Sequence, residues 1–347
     1  MNFFTERKPN TPAKRKEFSL IVPWIEKYRP KSLDDIVHQT EAVSVLKQCL
    51  INKEIPNLLL YGPPGTGKTS IILAVAHQLF GPLFKERVLE LNASDERGIQ
   101  VIREKVKKFA QIAVAQPKNK DIPSFKLIVL DEADSMTTAA QAALRRIMET
   151  ELRTTRFCLT CNYITRIIDP ITSRCAKFRF KVLDQDVALT RLRHIAEEEN
   201  LQISAENMEQ VIRLAQGDMR RAVTFLQTAS MIAEKDEDGM TKINEQFLDE
   251  AAGIVPQEQV TRFLEVAKEQ DINTVYQQVN DLLAEGFSAT QLIAQLQQIV
   301  LQSNSFSDLK KAVILKAIGI MDSRLMEGAD ERLQLLSLSA TIVQQAA

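Results

Sequence analysis

Eight consecutive residues, from Gly62 to Thr69, have the composition of a loop that holds phosphate groups. The run reads Gly62-Pro63-Pro64-Gly65-Thr66-Gly67-Lys68-Thr69. Its glycines allow backbone N–H groups to turn toward phosphate oxygens, and a following helix favours negative charge through its dipole. We expect Lys68 to reach the β- and γ-phosphates and Thr69 to offer its hydroxyl to Mg²⁺, with Ser70 completing the nucleotide-binding set. The flanks fit, because NLLLY before the loop indicates a strand and TSIILAVAHQLF after it a helix.

Carboxylates follow a second apolar run further along the chain. Residues 126–130 predict a buried strand, and Asp131-Glu132-Ala133-Asp134 come directly after it. Acidic residues at the carboxyl edge of a parallel sheet face the ligand crevice. Asp131 is suited to hold Mg²⁺, usually through water, and Glu132 to polarise an attacking water. Alone, these acids fit a solvated strand end equally well; together with the phosphate loop they predict hydrolysis of ATP.

Three further polar residues fit a nucleotide site. Asn162 follows the apolar run RFCLTC and is suited to position water near the γ-phosphate. Arg174 lies in a predicted loop before another strand, and Arg220 is expected to open a helix. A guanidinium offers fixed charge and a planar donor fork to a phosphoryl group. Each residue taken alone is a weak signal, because a surface salt bridge is the commoner role of a single arginine.

The elements that must position these residues change in type along the chain. Continuous apolar runs at 57–61, 87–91, 126–131, 156–161 and 176–180 alternate with helical stretches, which predicts strands buried on both faces of a parallel sheet. Residues 186–250 predict helices throughout, and a further helical unit begins near Pro256. The expected organisation is a tail at 1–20, an α/β core at 21–184, and all-helical domains at 185–252 and 253–347.

Composition limits the class of protein. The chain has 347 residues, 45% apolar and 26% charged, with a net charge of −1, which is ordinary for globular proteins and excludes nucleic-acid binding through global positive charge. No apolar run is long enough to span a bilayer, and the first residues lack the apolar centre of a signal peptide, so we expect an intracellular protein. Lys14-Arg15-Lys16 fits either a nuclear-import patch or, better, a solvated tail.

The four cysteines do not predict a metal site. Cys158 and Cys161 lie in a predicted strand, where residues three apart point to opposite faces, and a second pair with zinc spacing is missing. Buried structural cysteines are the favoured interpretation.

A local basic stretch, RGIQVIREKVKK at 97–108, carries five Lys or Arg and one Glu. Apolar residues at helical spacing give it a buried face, and Arg103 and Lys107 lie four apart on a polar flank. A solvated helix face is the simpler interpretation. The alternative is contact with DNA phosphates through Arg97, Arg103 and Lys107.

With these residues assembled, the chain resembles AAA+ ATPases of the clamp-loader branch, and more closely the small subunits of replication factor C. The resemblance extends over nearly everything after Val22, and the segment around Gly328 to Leu335 is most similar to one particular small-subunit type. The motifs that carry it are the phosphate loop, the DEAD box, VPWIEKYRP at 22–30, LNASDERG at 91–98, TSRC at 172–175 and GDMRR at 217–221.

The resemblance implies roles that spacing alone does not give. Val22, Tyr28, Arg29 and Val37 would line the adenine pocket. Arg174 would serve the ATP of a neighbouring subunit, and Arg220 would contact the chain's own γ-phosphate. The domain at 185–252 would be a lid, and the domain at 253–347 a collar that joins five subunits into an open ring.

The same resemblance implies cofactors, partners and location. With ATP and Mg²⁺ bound, the ring would open the sliding clamp PCNA and load it onto primer–template DNA in the nucleus. It also favours the DNA interpretation of the basic stretch, because that helix borders the central chamber in the family. Two other functions stay open: a different AAA+ machine, such as a branch-migration helicase or remodeller, and a ring subunit that binds ATP without turnover. Intact Lys68 and Glu132 favour hydrolysis.

Overall fold

The fold is known from a computed structural model, which describes residues 22–30, 32–33, 39–95, 100, 102–112, 122–233, 240–268, 272–303 and 306–346. The predicted tail at 1–20, Val37 and Arg97 lie outside the described residues, and so does the side chain of Arg103.

A five-stranded parallel sheet forms the centre of the first unit. Its strands are β1 Leu58–Tyr61, β2 Val88–Asn92, β3 Lys126–Asp131, β4 Thr155–Cys161 and β5 Ala176–Arg179. They lie in the order β2-β3-β4-β1-β5, and every neighbouring pair is parallel. All five strands confirm the prediction to within a residue or two, because strands buried on both faces consist of continuous apolar runs.

The helices of this unit are α1 Trp24–Lys27, α2 Thr40–Asn52, α3 Lys68–Phe80, α4 Phe84–Arg87, α5 Lys107–Gln111, α6 Thr138–Thr150 and α7 Asp169–Thr172. They cover both faces of this sheet, except α1, which packs against residues of the lid. One apolar cluster joins a sheet face to α2 and α3, and a second joins the other face to α5 and α6. Cys158 belongs to the first cluster and Cys161 to the second, so the two thiols point to opposite faces, as predicted.

The basic stretch differs from a regular helix. Ile102–Val106 forms a π-helix that continues into α5. Val106 and Ala110 are buried against the sheet, which agrees with the predicted apolar face. This π-helical turn is a local feature that side-chain periodicity does not reveal.

The described part of the lid contains four helices and a small sheet. The helices are α8 Gln185–Glu198, α9 Ala205–Ala215, α10 Met219–Ile232 and α11 Glu245–Ala252. The sheet pairs β6 Leu201–Ile203 with β7 Thr241–Ile243 in parallel. The expectation of helices throughout 186–250 is therefore wrong for these six residues, because strands of three residues are too short to produce a recognisable alternation.

The collar consists of helices in the residues described. They are α12 Gln257–Lys268, α13 Ile272–Ala284, α14 Ala289–Gln302, α15 Asp308–Met326 and α16 Glu331–Ala346. They share one apolar core that includes Phe263, Leu296 and Ile342. Among the described residues, no helix combines the length and apolarity needed to cross a bilayer.

Candidate nucleotide site

The phosphate loop connects the end of β1 to the start of α3. Gly62, Gly65 and Gly67 have φ values of 149°, 71° and 86°, a region that residues with a Cβ rarely adopt. Gly62 also lies against Phe180, the residue that follows β5, and an added Cβ would be 2.2 Å from the carbonyl oxygen of Phe180. Sequence and geometry agree here, since only glycine permits both the turn and the close approach.

Lys68 is buried at the first turn of α3. Its Nζ donates to the carbonyl oxygens of Gly62 at 2.9 Å and Pro63 at 2.8 Å, and to Asn162 Oδ1 at 3.0 Å. Burial lowers the pKa of the Lys68 ammonium; the negative charge of Asp131 opposes this effect, and the positive charge of Arg220 adds to it. The ammonium therefore lies beside both the loop and the carboxylate strand, as the sequence predicts.

The Asp131 carboxylate is fixed by three donors. Thr69 Oγ1 donates to Asp131 Oδ2 at 2.8 Å, and Asp131 Oδ1 accepts from the hydroxyl of Thr160 and, at 3.0 Å, from the backbone N–H of Glu132. Thr69 and Asp131, the two predicted magnesium ligands, are thus neighbours. Hydroxyl and carboxylate oxygens are hard ligands of the kind Mg²⁺ prefers.

Two polar residues next to Asp131 face the same strand ends. Glu132 is exposed and has a left-handed backbone with φ 52°. Asn162 follows β4, and its backbone N–H, like that of Tyr163, donates to Asp134 Oδ2 at 3.1 Å. Asp134 therefore holds the turn that carries Asn162, while the Asn162 side chain reaches Lys68.

A cavity of about 610 Å³ lies between the phosphate loop, the N-terminal segment and the lid. Tyr28, Arg29, Gly65, Ser70 and Arg220 are among its lining residues. All five were expected to bind nucleotide, Tyr28 and Arg29 only because the family resemblance implies it. Val22 is 52% exposed and is not among the described residues that line the cavity.

The N-terminal segment is attached to the lid. Glu199 Oε1 accepts from Tyr28 Oη at 2.7 Å and pairs with Lys27 Nζ at 2.6 Å. Arg191 donates to the carbonyl oxygen of Tyr28 at 2.6 Å, and Trp24 belongs to the lid's apolar cluster. One wall of the cavity is therefore formed jointly by residues of the N-terminal segment and of the lid.

The lid also contacts the phosphate loop directly. Asp218 caps α10 by accepting from the N–H groups of Arg220 at 2.9 Å and Arg221 at 3.4 Å. A Cβ added to Gly65 would lie 2.0 Å from Asp218 Oδ1. This contact positions the first turn of α10, and Arg220 with it, beside the loop.

Arg174 lies at the other edge of the sheet. It precedes β5, whose Ala176 is paired with Leu58, the first residue of β1, whereas the phosphate loop follows the last residue of β1. A strand of four residues spans about 13 Å. Arg174 is therefore separated from its own chain's phosphate loop by the length of the sheet, and it is absent from the described cavity lining.

The described part of the basic stretch is attached to β3. Lys107 and Lys108 are exposed. Lys126, the buried first residue of β3, donates to the carbonyl oxygens of Phe109, Ala110 and Ile112 and so caps the end of α5. The same strand ends at Asp131.

The cysteines are buried or half-buried and free. Burial raises the pKa of Cys161 and of Cys175 to about 12. No group of three or more His, Cys, Asp or Glu suited to a metal ion occurs among the residues with described positions.

Several site residues were missed in the sequence analysis. Asp134 was quoted only as part of the acidic motif, although its place before an exposed turn was a usable signal. Asp218 precedes a predicted helix, as capping residues do. Thr160 and Glu199 gave no signal, because their partners are distant in the chain.

Three family models match the chain. They are the "ATPase family associated with various cellular activities (AAA)" at 58–183, the "RCF1/5-like, AAA+ ATPase lid domain" at 190–231 and the "Replication factor C C-terminal domain" at 255–341. The Thermotoga maritima protein RuvB has a similar solved structure, with a TM-score of 0.51 and 16% identity over 77% of this chain and 91% of that one, which is a likeness of fold alone.

Curated relatives match over most of their length. The chain is 51% identical to Replication factor C subunit 4 of Homo sapiens, over 93% of this chain and 88% of the relative. It is 47% identical to Replication factor C subunit 2 of Saccharomyces cerevisiae, over 93% of each. These relatives confirm the subunit type indicated by the segment 328–335, which is numbered four in animals and two in fungi. The chain belongs to the replication factor C small subunits and is a clamp-loader ATPase of the AAA+ class.

Proposed function

We propose that the chain binds Mg·ATP at residues 62–70 and that hydrolysis drives loading of the PCNA sliding clamp onto primer–template DNA, in a nuclear hetero-pentamer of replication factor C subunits. The observation that carries this proposal is the meeting of Lys68, Asn162 and the Thr69–Asp131 pair at the carboxyl edge of the sheet. That edge is where open parallel sheets bind ligands.

The site residues suit magnesium as the metal. Thr69 and Asp131 would hold it, and their 2.8 Å contact brings two hard oxygen ligands together. One carboxylate with water and phosphate oxygens is the usual magnesium environment, and the metal would neutralise charge on the phosphates.

The chain's own side chains would perform the remaining steps. Lys68 would hold the β- and γ-phosphates. Glu132 would accept a proton from the attacking water, which Asn162 would orient. Arg220 would contact the γ-phosphate from the lid, while Tyr28 and Arg29, with Val22 and Val37, would enclose the adenine. The cavity lining supports these roles for Tyr28, Arg29 and Arg220.

Arg174 would act on ATP bound by the adjoining subunit. Its location at the amino edge of the sheet supports this role, because its own loop lies at the carboxyl edge. Replacing it with alanine should slow hydrolysis at the adjoining site by about 10³-fold while this chain's own ATP affinity is unchanged. Arg153→Ala, at an exposed arginine between α6 and β4, is the matched control. Loss of the chain's own ATP binding would contradict the assignment.

The decisive test of the proposed function is Lys68→Ala in the reconstituted complex. ATP-dependent clamp loading should fall by about 100-fold or more, since a charged donor to the phosphates is lost. The exposed Lys85→Ala serves as control. Undiminished loading would show that ATP handling by this subunit is dispensable.

For DNA, we propose contacts by Arg97, Arg103 and Lys107, supported by the exposure of Lys107. The double variant Arg103→Ala/Lys107→Ala should weaken binding and reduce the slope of log affinity against log salt by about two. An unchanged slope would remove these residues from the DNA interface.

A further inference from the structure

Glu149, near the end of α6, holds two arginines through one carboxylate oxygen. Arg174 Nη2 lies 2.6 Å from Glu149 Oε1, and Arg145 Nε lies 3.0 Å from the same atom. Arg145 is four residues earlier on α6, whereas Arg174 comes from the loop before β5. The cluster lies at the amino edge of the sheet, where α6 ends and β4 begins.

The ion pair with Glu149 involves the terminal nitrogens that Arg174 would need to bind a phosphate. Its Nη2 is bound to Glu149, and its Nη1 donates to the carbonyl oxygen of Pro170 at 2.5 Å. A guanidinium binds phosphate through such a fork of N–H donors. Each terminal nitrogen uses one of its two N–H donors within its own chain, and together these contacts fix the orientation of the guanidinium. Turning the fork toward a phosphoryl group on the adjoining subunit therefore requires release of at least one contact.

The release is energetically accessible. The side chains of Arg174 and Glu149 are 38% and 35% exposed, and ion pairs with this much solvent contact contribute little. Arg145 stays on the same oxygen when Arg174 leaves, so the carboxylate keeps a positive partner. The ion pair between Glu149 and Arg174 can therefore form and break at low energetic cost.

From this geometry we propose that Glu149 is a positioning residue that retains Arg174 in a resting arrangement and releases it when the adjoining subunit's ATP is engaged. The proposal rests on the proposed action of Arg174 on the adjoining site. It makes Glu149 a restraint on basal hydrolysis.

The test is Glu149→Gln in the reconstituted complex without clamp or DNA, with the phosphate-loop lysine replaced in every subunit except the adjoining one, so that turnover comes from the site that Arg174 would serve. The basal kcat should rise about two- to fivefold, the range expected for a half-exposed ion pair. KM for ATP at that site should change less than kcat, because an arginine of this kind stabilises mainly the charge that develops in the transition state. Glu151→Gln changes the same charge at the same helix end without touching the observed pair and should keep the wild-type rate.

The double variant Glu149→Gln/Arg174→Ala separates this role from a structural one. Its rate should equal that of Arg174→Ala alone, since the restraint acts only through the guanidinium. An unchanged or lower kcat in Glu149→Gln would overturn the proposal, as would a rise that persists without Arg174. If Arg174→Ala slows the adjoining site but Glu149→Gln does not accelerate it, only the restraint is wrong. If Arg174→Ala has no effect, the action in trans is refuted, and the restraint with it.

Discussion

Replacing Gly65 with alanine should separate the lid from the phosphate loop. The new Cβ would lie 2.0 Å from Asp218 Oδ1, 2.5 Å from its Cγ and 3.0 Å from its Cα. The first two distances are the severe ones, and the carboxylate that would have to move away is the cap of α10. The first turn of α10, which contains Arg220, therefore loses its cap or shifts.

The size of the effect follows from two contributions. Gly65 has φ 71°, and a left-handed backbone costs a residue with a Cβ about 1–2 kcal/mol. Displacing the Asp218 carboxylate from the two N–H groups it caps costs about 0.5–2 kcal/mol more. Together these destabilise the loop–lid arrangement that binds nucleotide by about 1.5–4 kcal/mol, which predicts a loss of roughly 10- to 1,000-fold in affinity.

Gly67→Ala is the matched comparison. Gly67 has φ 86°, so it carries the backbone penalty, but a Cβ there would meet nothing within 4 Å in the chain. Affinity can be followed through Trp24, the only tryptophan in the sequence, which lines the cavity. Without nucleotide, the difference in thermal stability between the two variants should reflect the lid contact alone.

A double-mutant cycle with Asp218→Ala tests whether the lid contact causes the effect and can refute it. Removing the Asp218 carboxylate takes away two of the three close atoms, so Gly65→Ala should cost less in that background. If the Gly65→Ala penalty is the same with and without the carboxylate, or no larger than that of Gly67→Ala in the unliganded chain, the lid contact does not govern the loop.

Three other predictions concern the remaining contacts of the site. Tyr28→Phe should weaken ATP binding about two- to tenfold with kcat unchanged, since one hydrogen bond between the N-terminal segment and the lid is lost; unchanged affinity in the same fluorescence titration would contradict this. Thr160→Val should raise the magnesium concentration needed for half-maximal hydrolysis about two- to tenfold, because the Asp131 carboxylate loses a donor, and an unshifted magnesium curve would count against it. Cys161 and Cys175, with pKa values of about 12, should resist iodoacetamide at pH 8, react faster only as pH rises toward 12, and label rapidly in urea. Prompt labelling of the folded chain, detected by mass spectrometry, would show that these thiols are not buried as described.

The sheet and the phosphate loop could be predicted because their signals are local. Strands such as 126–131 are continuous apolar runs, and the loop requires glycine at particular positions of the backbone. The residues Lys68, Thr69 and Asp131 meet because parallel strands bring their carboxyl ends to one edge. The strands, the loop and the edge at which these residues meet can all be inferred without knowing individual side-chain contacts.

The contacts between distant segments could not be predicted. Glu199 contacts Tyr28 although almost the whole α/β core separates them in the sequence. Glu149 contacts Arg174 although β4 lies between them in the chain. Each of these residues is a charged or polar side chain of a kind common on surfaces, so its type carries no information about its partner. The three-residue strands β6 and β7 were missed for a related reason, since their pairing is set by tertiary packing and not by local propensity.

The phosphate loop and Arg174 lie at opposite edges of the sheet, so the subunit has two chemically different sides. If Arg174 serves the ATP of an adjoining subunit as proposed, the arginine and the phosphate loop of two copies cannot reach each other reciprocally in a two-fold dimer, and the contacts must run head to tail. In any such row that does not close, one terminal subunit keeps an arginine without a nucleotide to serve, and the subunit at the other terminus keeps a nucleotide that no arginine reaches. An assembly with a gap is therefore chemically unequal at its two ends, even if every subunit in it folds alike.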